Sequence, residues 1–145
     1  MKDPQTDRDR RWGLGVLGNL AYVPLMSDLK TYSGGCQCGR VRYEISMDLT
    51  KPVISCNCSM CGRAGTLLSF APAEQFKLKS GEDVLTDYQF NKKHIHHLFC
   101  SVCGIKSFAR GTGPGGAATV AVNVRCLDDV DPERLSLMKY DGKSK

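Results

Sequence analysis

Cys56-Asn57-Cys58-Ser59-Met60-Cys61-Gly62 places three thiols within six residues. Working outward, a second cluster precedes it, Cys36-Gln37-Cys38-Gly39, and a third follows, Cys100-Ser101-Val102-Cys103-Gly104. Seven of the eight cysteines lie in these clusters. Cysteines two or three residues apart cannot bridge within a pair without strain, but they can grip one ion from a tight turn. The spacing therefore favours zinc over a disulfide framework. Zinc thiolates in turn imply a reducing compartment, so the cytoplasm is the expected location. Each cluster ends in glycine, which lets the chain turn through positive φ and aim backbone N–H groups at the sulfurs.

Structural zinc takes four closed ligands in a tetrahedron. Cys36, Cys38, Cys100 and Cys103 supply four. Cys56, Cys58 and Cys61 supply three, which leaves one position open, as at a catalytic zinc. Other partitions remain open at this point. Two four-ligand sites need one more donor, from Cys126 or from His94, His96 and His97. Cys126 follows Val120, Val122 and Val124 at period two and reads as a buried core thiol. The histidines read as a polar strand face beside the metal, with a fourth ligand or a proton shuttle as the alternatives.

The texture from Tyr32 onward is β. Val41–Ile45 alternates apolar and polar, and Thr66–Phe70, Phe76–Leu78, Leu85–Phe90 and Ile95–Phe99 also read as strands. Thr112–Gly116 is a glycine-rich loop, and Gly111–Gly116 reads equally as a flap that closes over a substrate and as a plain turn. Only Ala73–Phe76 and Pro132–Leu135 suggest helical turns. Residues 31–145 form one domain on this reading, large enough to bury a core. Residues 1–30 differ. Met1–Arg11 is polar, whereas Trp12–Met26 (WGLGVLGNLAYVPLM) is apolar and glycine-bearing. Basic residues before an apolar stretch imitate a secretory signal. Three aspartates among them, the interruptions at Asn19 and Pro24, and the absence of an A-x-A pattern speak for an extension or leader that packs on the domain or a partner. Its apolar part could mediate contacts in a homo-oligomer.

No apolar run reaches about 18 residues, so no membrane span is expected. The formal charge is +5. Seven thiolates and two zinc ions lower that to about +2, and no run of Lys and Arg exceeds two residues, so nucleic acid is not an expected partner.

Four stretches carry a resemblance. They are Gly34-Gly35-Cys36-Gln37-Cys38-Gly39-Arg40-Val41 with Cys56-Asn57-Cys58-Ser59-Met60-Cys61, Phe99-Cys100-Ser101-Val102-Cys103-Gly104-Ile105-Lys106-Ser107-Phe108, and Asn123-Val124-Arg125-Cys126-Leu127-Asp128. Over roughly residues 33 to 142 the chain resembles the glutathione-dependent formaldehyde-activating enzymes, a family that includes centromere protein V. The resemblance implies a mainly β, Mss4-like fold of several coiled, mostly antiparallel sheets with zinc knuckles. It implies two zinc ions per chain, a structural one on Cys36, Cys38, Cys100 and Cys103 and a catalytic one on Cys56, Cys58 and Cys61. It implies a carbon–sulfur lyase that joins glutathione and formaldehyde as S-(hydroxymethyl)glutathione.

An open three-thiolate zinc suits thiol activation, because the ion stabilises an entering thiol as thiolate. So many thiolates make it a poor Lewis acid, which favours sulfur chemistry over water activation. The expected function is therefore a zinc-dependent carbon–sulfur lyase-like enzyme acting on a thiol–aldehyde adduct, with glutathione as the thiol. The alternatives are a non-catalytic zinc module that binds protein or nucleic acid, and the same scaffold acting on a different thiol or aldehyde. Glutathione carboxylates want cations. Arg40, Arg63, Lys92, Lys93 and Arg110 are candidates because they lie near the knuckles in sequence, but each reads better as a solvated surface charge.

Overall fold

The computed structural model describes residues 28–145. Ten strands and one helix follow in order: β1 (Lys30–Gly35), β2 (Arg42–Met47), β3 (Val53–Cys56), α1 (Ser59–Ala64), β4 (Leu68–Pro72), β5 (Phe76–Ser80), β6 (Leu85–Tyr88), β7 (His96–Cys100), β8 (Phe108–Thr112), β9 (Ala118–Asn123) and β10 (Leu137–Tyr140). The mainly β expectation holds. The strands form a three-stranded sheet, β1-β2-β5, and a seven-stranded sheet, β10-β3-β4-β9-β8-β7-β6. Every pairing is antiparallel except β10 with β3, which is parallel.

The alternation of β2 explains how the sheets pack. Tyr43, Ile45 and Met47 point inward and are buried, while their neighbours are half-buried. Val120 and Val122 do the same from β9. Three rings join the two sheets. Tyr43, Phe76 and Phe108 sit with centroids 5.0, 5.6 and 4.7 Å apart in the pairs Tyr43–Phe76, Tyr43–Phe108 and Phe76–Phe108. Such pairs contribute about 0.5–1.5 kcal/mol each beyond their burial. The phenol of Tyr43 donates to the Ser107 carbonyl at 3.2 Å, so its one polar atom is satisfied inside the core.

Several sequence expectations are corrected. A helix forms at Ser59–Ala64, where none was expected. The chain also adds β1, β3 and β10. The period-two run ends at Asn123, whose side-chain oxygen accepts from the Leu67 and Arg125 amides and turns Val124–Cys126 into a 3-10 turn. Cys126 therefore lies beyond the strand, and burial pushes its thiol up to about 11. The strand expected at Thr66–Phe70 is shifted by two residues to Leu68–Pro72, and Pro72 pairs with Thr119. Ala73–Gln75 and Pro132–Arg134 are 3-10 turns, as their sequences suggested. The expected extension at 1–30 lies almost wholly outside the described residues.

Candidate metal centres and the cleft beside one of them

The sulfurs of Cys36, Cys38, Cys100 and Cys103 form one group, and those of Cys56, Cys58 and Cys61 form another, each with all sulfurs within 4.8 Å of one another. Among the described residues no histidine or carboxylate joins either group, and Cys126 stands apart from both.

The first group is built from two similar turns. After β1, Cys36 receives the Val41 amide on its sulfur at 3.3 Å, and Gly39 turns at φ 84°. At the end of β7, Cys100 receives the Val102 amide at 3.4 Å, and Gly104 turns at φ 80°. Here glycine does what the sequence suggested. The sulfurs of Cys36 and Cys38 lie 3.6 Å apart, and those of Cys38 and Cys100 lie 3.7 Å apart. A tetrahedral zinc with bonds of about 2.3 Å holds its sulfurs about 3.8 Å apart, so the spacing fits that ion. The protonation pattern agrees. Cys103 is pulled down to about 6 by the Ile105 amide. Cys38, although the Arg40 amide pulls it down, is pushed up to about 11 by desolvation and its neighbouring sulfurs. Four such thiols cannot all ionise without a cation among them.

The second group comes from one short segment. Cys56 ends β3, and its sulfur accepts the Cys58 amide at 3.4 Å. Cys58 caps the N-terminus of α1 with φ −62° and ψ 167°, and its sulfur accepts the Cys61 amide at 3.3 Å. A thiol thus fills the place usually taken by Ser or Asp. Gly62 is inside the helix and makes no positive-φ turn; the left-handed residue is Gly65, at φ 70°, which closes the helix. The glycine expectation therefore fails for this cluster.

Residues 140–145 press on the second group, a contact that sequence reasoning missed. The Asn57 amide donates to Asp141 at 3.0 Å, and its oxygen accepts the Lys143 amide at 2.9 Å. The Asn57 backbone amide donates to the Tyr140 carbonyl at 3.2 Å. A Cβ on Gly142 would lie 2.6 Å from the Cys56 sulfur, so only glycine fits there. The signal in the sequence was Asn57, a residue that commonly bonds backbone in turns, but its partner lies 84 residues away.

The second group opens into a cleft of about 550 Å³, whose lining includes Cys56, Cys58, Cys61, Lys106, His97 and Phe70. Lys106 is half-buried, and burial lowers its pKa against the opposing pull of Cys61 and Cys58. Burial, helped by the charge of Lys106, lowers His97 to about 4, so its ring is neutral at pH 7. The ring stacks on Phe90 at 5.3 Å, and its Nδ1 is buried without a partner. Gly111, Thr112, Gly113 and Pro114 form part of the wall.

The other sequence candidates fall elsewhere. Arg40, Arg63, Lys92, Lys93 and His94 do not line the cleft. Arg63 folds back to the Ser59 carbonyl at 3.2 Å. Arg110 borders the cleft, but its guanidinium lies over Phe76 and Phe108, 5.2 and 5.5 Å from their centroids, toward the core between the sheets. His96 bonds Asp87 at 2.6 Å.

Residues 31–139 match the family model described as glutathione-dependent formaldehyde-activating enzyme. The chain belongs to this family. Both cysteine groups lie inside the family match, and the segment from Tyr140 that presses on Cys56 lies just beyond it. The chain is also similar to a solved structure of a Rhodobacter sphaeroides protein, with 30% identity and a TM-score of 0.63, covering 70% of this chain and 92% of that one. Among the described residues, no helix is long and apolar enough to cross a membrane.

Proposed function

We propose that this chain is a zinc-dependent carbon–sulfur lyase-like enzyme that forms or cleaves an adduct between a small thiol and an aldehyde, with S-(hydroxymethyl)glutathione as the reference case. Cys36, Cys38, Cys100 and Cys103 hold a structural zinc, and Cys56, Cys58 and Cys61 hold a catalytic one. One observation carries the reading: the three-thiol group opens into a cleft of about 550 Å³, and the four-thiol group does not line that cleft. A zinc ion on three thiolates supplies a place where an entering thiol is stabilised as thiolate.

The remaining work falls to the protein. Cys56, Cys58 and Cys61 carry more negative charge than a divalent ion cancels, and Lys106 lies within electrostatic reach of Cys58 and Cys61 to offset it. Asn57 ties the loop between Cys56 and Cys58 to residues 140–145, which fixes the direction of both sulfurs. The apolar wall holds the aldehyde carbon beside the sulfur, replacing a random encounter with a positioned one. In the forward direction the thiol loses its proton, the C–S bond forms, and the carbonyl oxygen takes up a proton. A reducing, cytoplasmic setting goes with this chemistry, since the thiols must stay unoxidised.

Exchange spectroscopy of formaldehyde with glutathione tests the reading. Zinc-loaded protein is expected to accelerate exchange above the uncatalysed rate, and Cys58→Ser to abolish the acceleration. An unchanged rate with fully loaded protein contradicts the proposal.

A further inference from the structure

Resting on that reading, we infer that the adduct served by this cleft carries an apolar group on its aldehyde side, well beyond a single carbon. The seven-stranded sheet shapes the space. Phe70 of β4 pairs with Ala121 of β9, Ala121 pairs with Ala109 of β8, and Ala109 pairs with His97 of β7. Paired residues share a face of a sheet, so this row crosses four strands on the cleft side. Its two middle members are only methyl groups. Its ends are Phe70 and the His97 ring with Phe90 stacked on it. The result is a trough with an alanine floor and aromatic walls.

Three large side chains lining the same cleft are substantially exposed: Phe70 at 55%, Ile95 at 49% and Tyr140 at 46%. Exposed large apolar groups gathered in one concavity mark a ligand surface, whereas scattered ones do not. The trough is continuous with Cys56, Cys58 and Cys61, which places its apolar floor beside the reacting sulfur. Its charged side chains are few. Lys106 is the partly buried cation of the lining, Lys145 lies at the C-terminal end, and Arg110 directs its guanidinium toward Phe76 and Phe108. One cation beside the thiolates suits one carboxylate of the thiol. The rest of the cleft offers its area to hydrocarbon, and formaldehyde has none to place there.

The reaction stays balanced with the larger aldehyde. In RS–CH(OH)–R′ the C–S bond breaks, the hydroxyl proton leaves as the C=O bond forms, and sulfur keeps the electron pair and leaves as thiolate or, after taking up a proton, as thiol. R′ is the apolar group in the trough, and no oxidant or reductant is needed.

Stable thioethers test this without turnover. Calorimetry of the zinc-loaded chain with S-hexylglutathione and S-methylglutathione is expected to show the hexyl compound binding at least about tenfold more tightly, since each buried methylene contributes up to about 0.8 kcal/mol. Ala121→Leu fills the trough floor and is expected to bring that ratio toward one. Phe70→Ser removes an exposed wall and is expected to reduce the ratio as well, and it serves if the leucine variant fails to fold. Equal affinities in the unaltered protein, binding of neither thioether, or a ratio that both variants leave intact overturns the inference. Formaldehyde exchange in the same preparation keeps the two claims apart. Its absence contradicts the enzyme reading, while the affinity ratio alone decides the trough.

Discussion

The two cysteine groups use the same ligand in opposite ways. The four-thiol group joins distant parts of the chain: the Cys38 and Cys100 sulfurs meet across 62 residues, from the end of the small sheet to β7 of the large one. The three-thiol group draws on six consecutive residues, at the junction of β3 and α1, and closes no long loop by itself. Cys100 is fully buried, whereas Cys56 and Cys58 stay half-exposed beside the cleft. On the proposed reading, one ligand type staples the fold in one place and presents chemistry in another. What separates the roles is which segments the ligands come from and what lies next to them.

The largest expected effect comes from breaking the staple. Cys100→Ser is expected to remove the cross-sheet zinc and with it most of the fold, because metal-binding energy at such sites is folding energy of roughly 10 kcal/mol. Circular dichroism and thermal melting would show a lost or strongly lowered transition. Cys58→Ser is expected to lose one zinc of two by metal analysis, to lower activity more than about 100-fold, and to keep a cooperative melt within a few degrees of the unaltered protein. A collapse comparable to that of Cys100→Ser would mean that both groups are structural.

Gly142→Ala sharpens the comparison from the other side. Its Cβ would meet the Cys56 sulfur at 2.6 Å, so residues 140–145 must shift away. A roughly tenfold weaker affinity for the second zinc is expected, with the first unaffected; competition with a chromogenic chelator would measure it.

His97 gives a pH signature. Its pKa falls from 6.5 to about 4 on folding, so the unfolded chain binds the extra proton between those values. Stability from the neutral ring is complete above about pH 6.5 and is lost as pH falls toward about 4. His97→Phe is expected to flatten that part of the melting-temperature profile, measured as the difference between the two proteins. The smallest effect belongs to Arg42 and Asp128, a bidentate pair exposed by 36% and 45% that links β2 to the segment after β9. Asp128→Asn is expected to change stability by less than about 1 kcal/mol in chemical denaturation.

The knuckles were legible in the sequence because each is local: thiols two or three residues apart, mostly followed by glycine. Counting ligands left the joining of the first cluster to the third as one partition among several, and the family resemblance implied it, with no view of the sheets that bring them together. Helix α1 was not legible. Six residues are too few to show a period, and Gly62 costs about 1 kcal/mol relative to alanine in a helix interior. The Cys58 cap and Gly65 compensate. Nor was the strap on Cys56 legible, because Asp141-Gly142-Lys143-Ser144 reads as polar surface until Asn57 is seen to hold it. The period-two valines of β9 revealed the core face, while the cleft face of the same strand, with Ala121, carries no signal of its own. A trough made of small residues on neighbouring strands exists only once the strands are in register.

The central claim is the inequality of the two groups, four ligands closed and three open. Zinc X-ray absorption on the fully loaded protein tests it most directly. The expected average is about 3.5 sulfurs per zinc, rising to about 4 when glutathione is added. An average of about 4 without added thiol, or no change on adding it, would contradict the account.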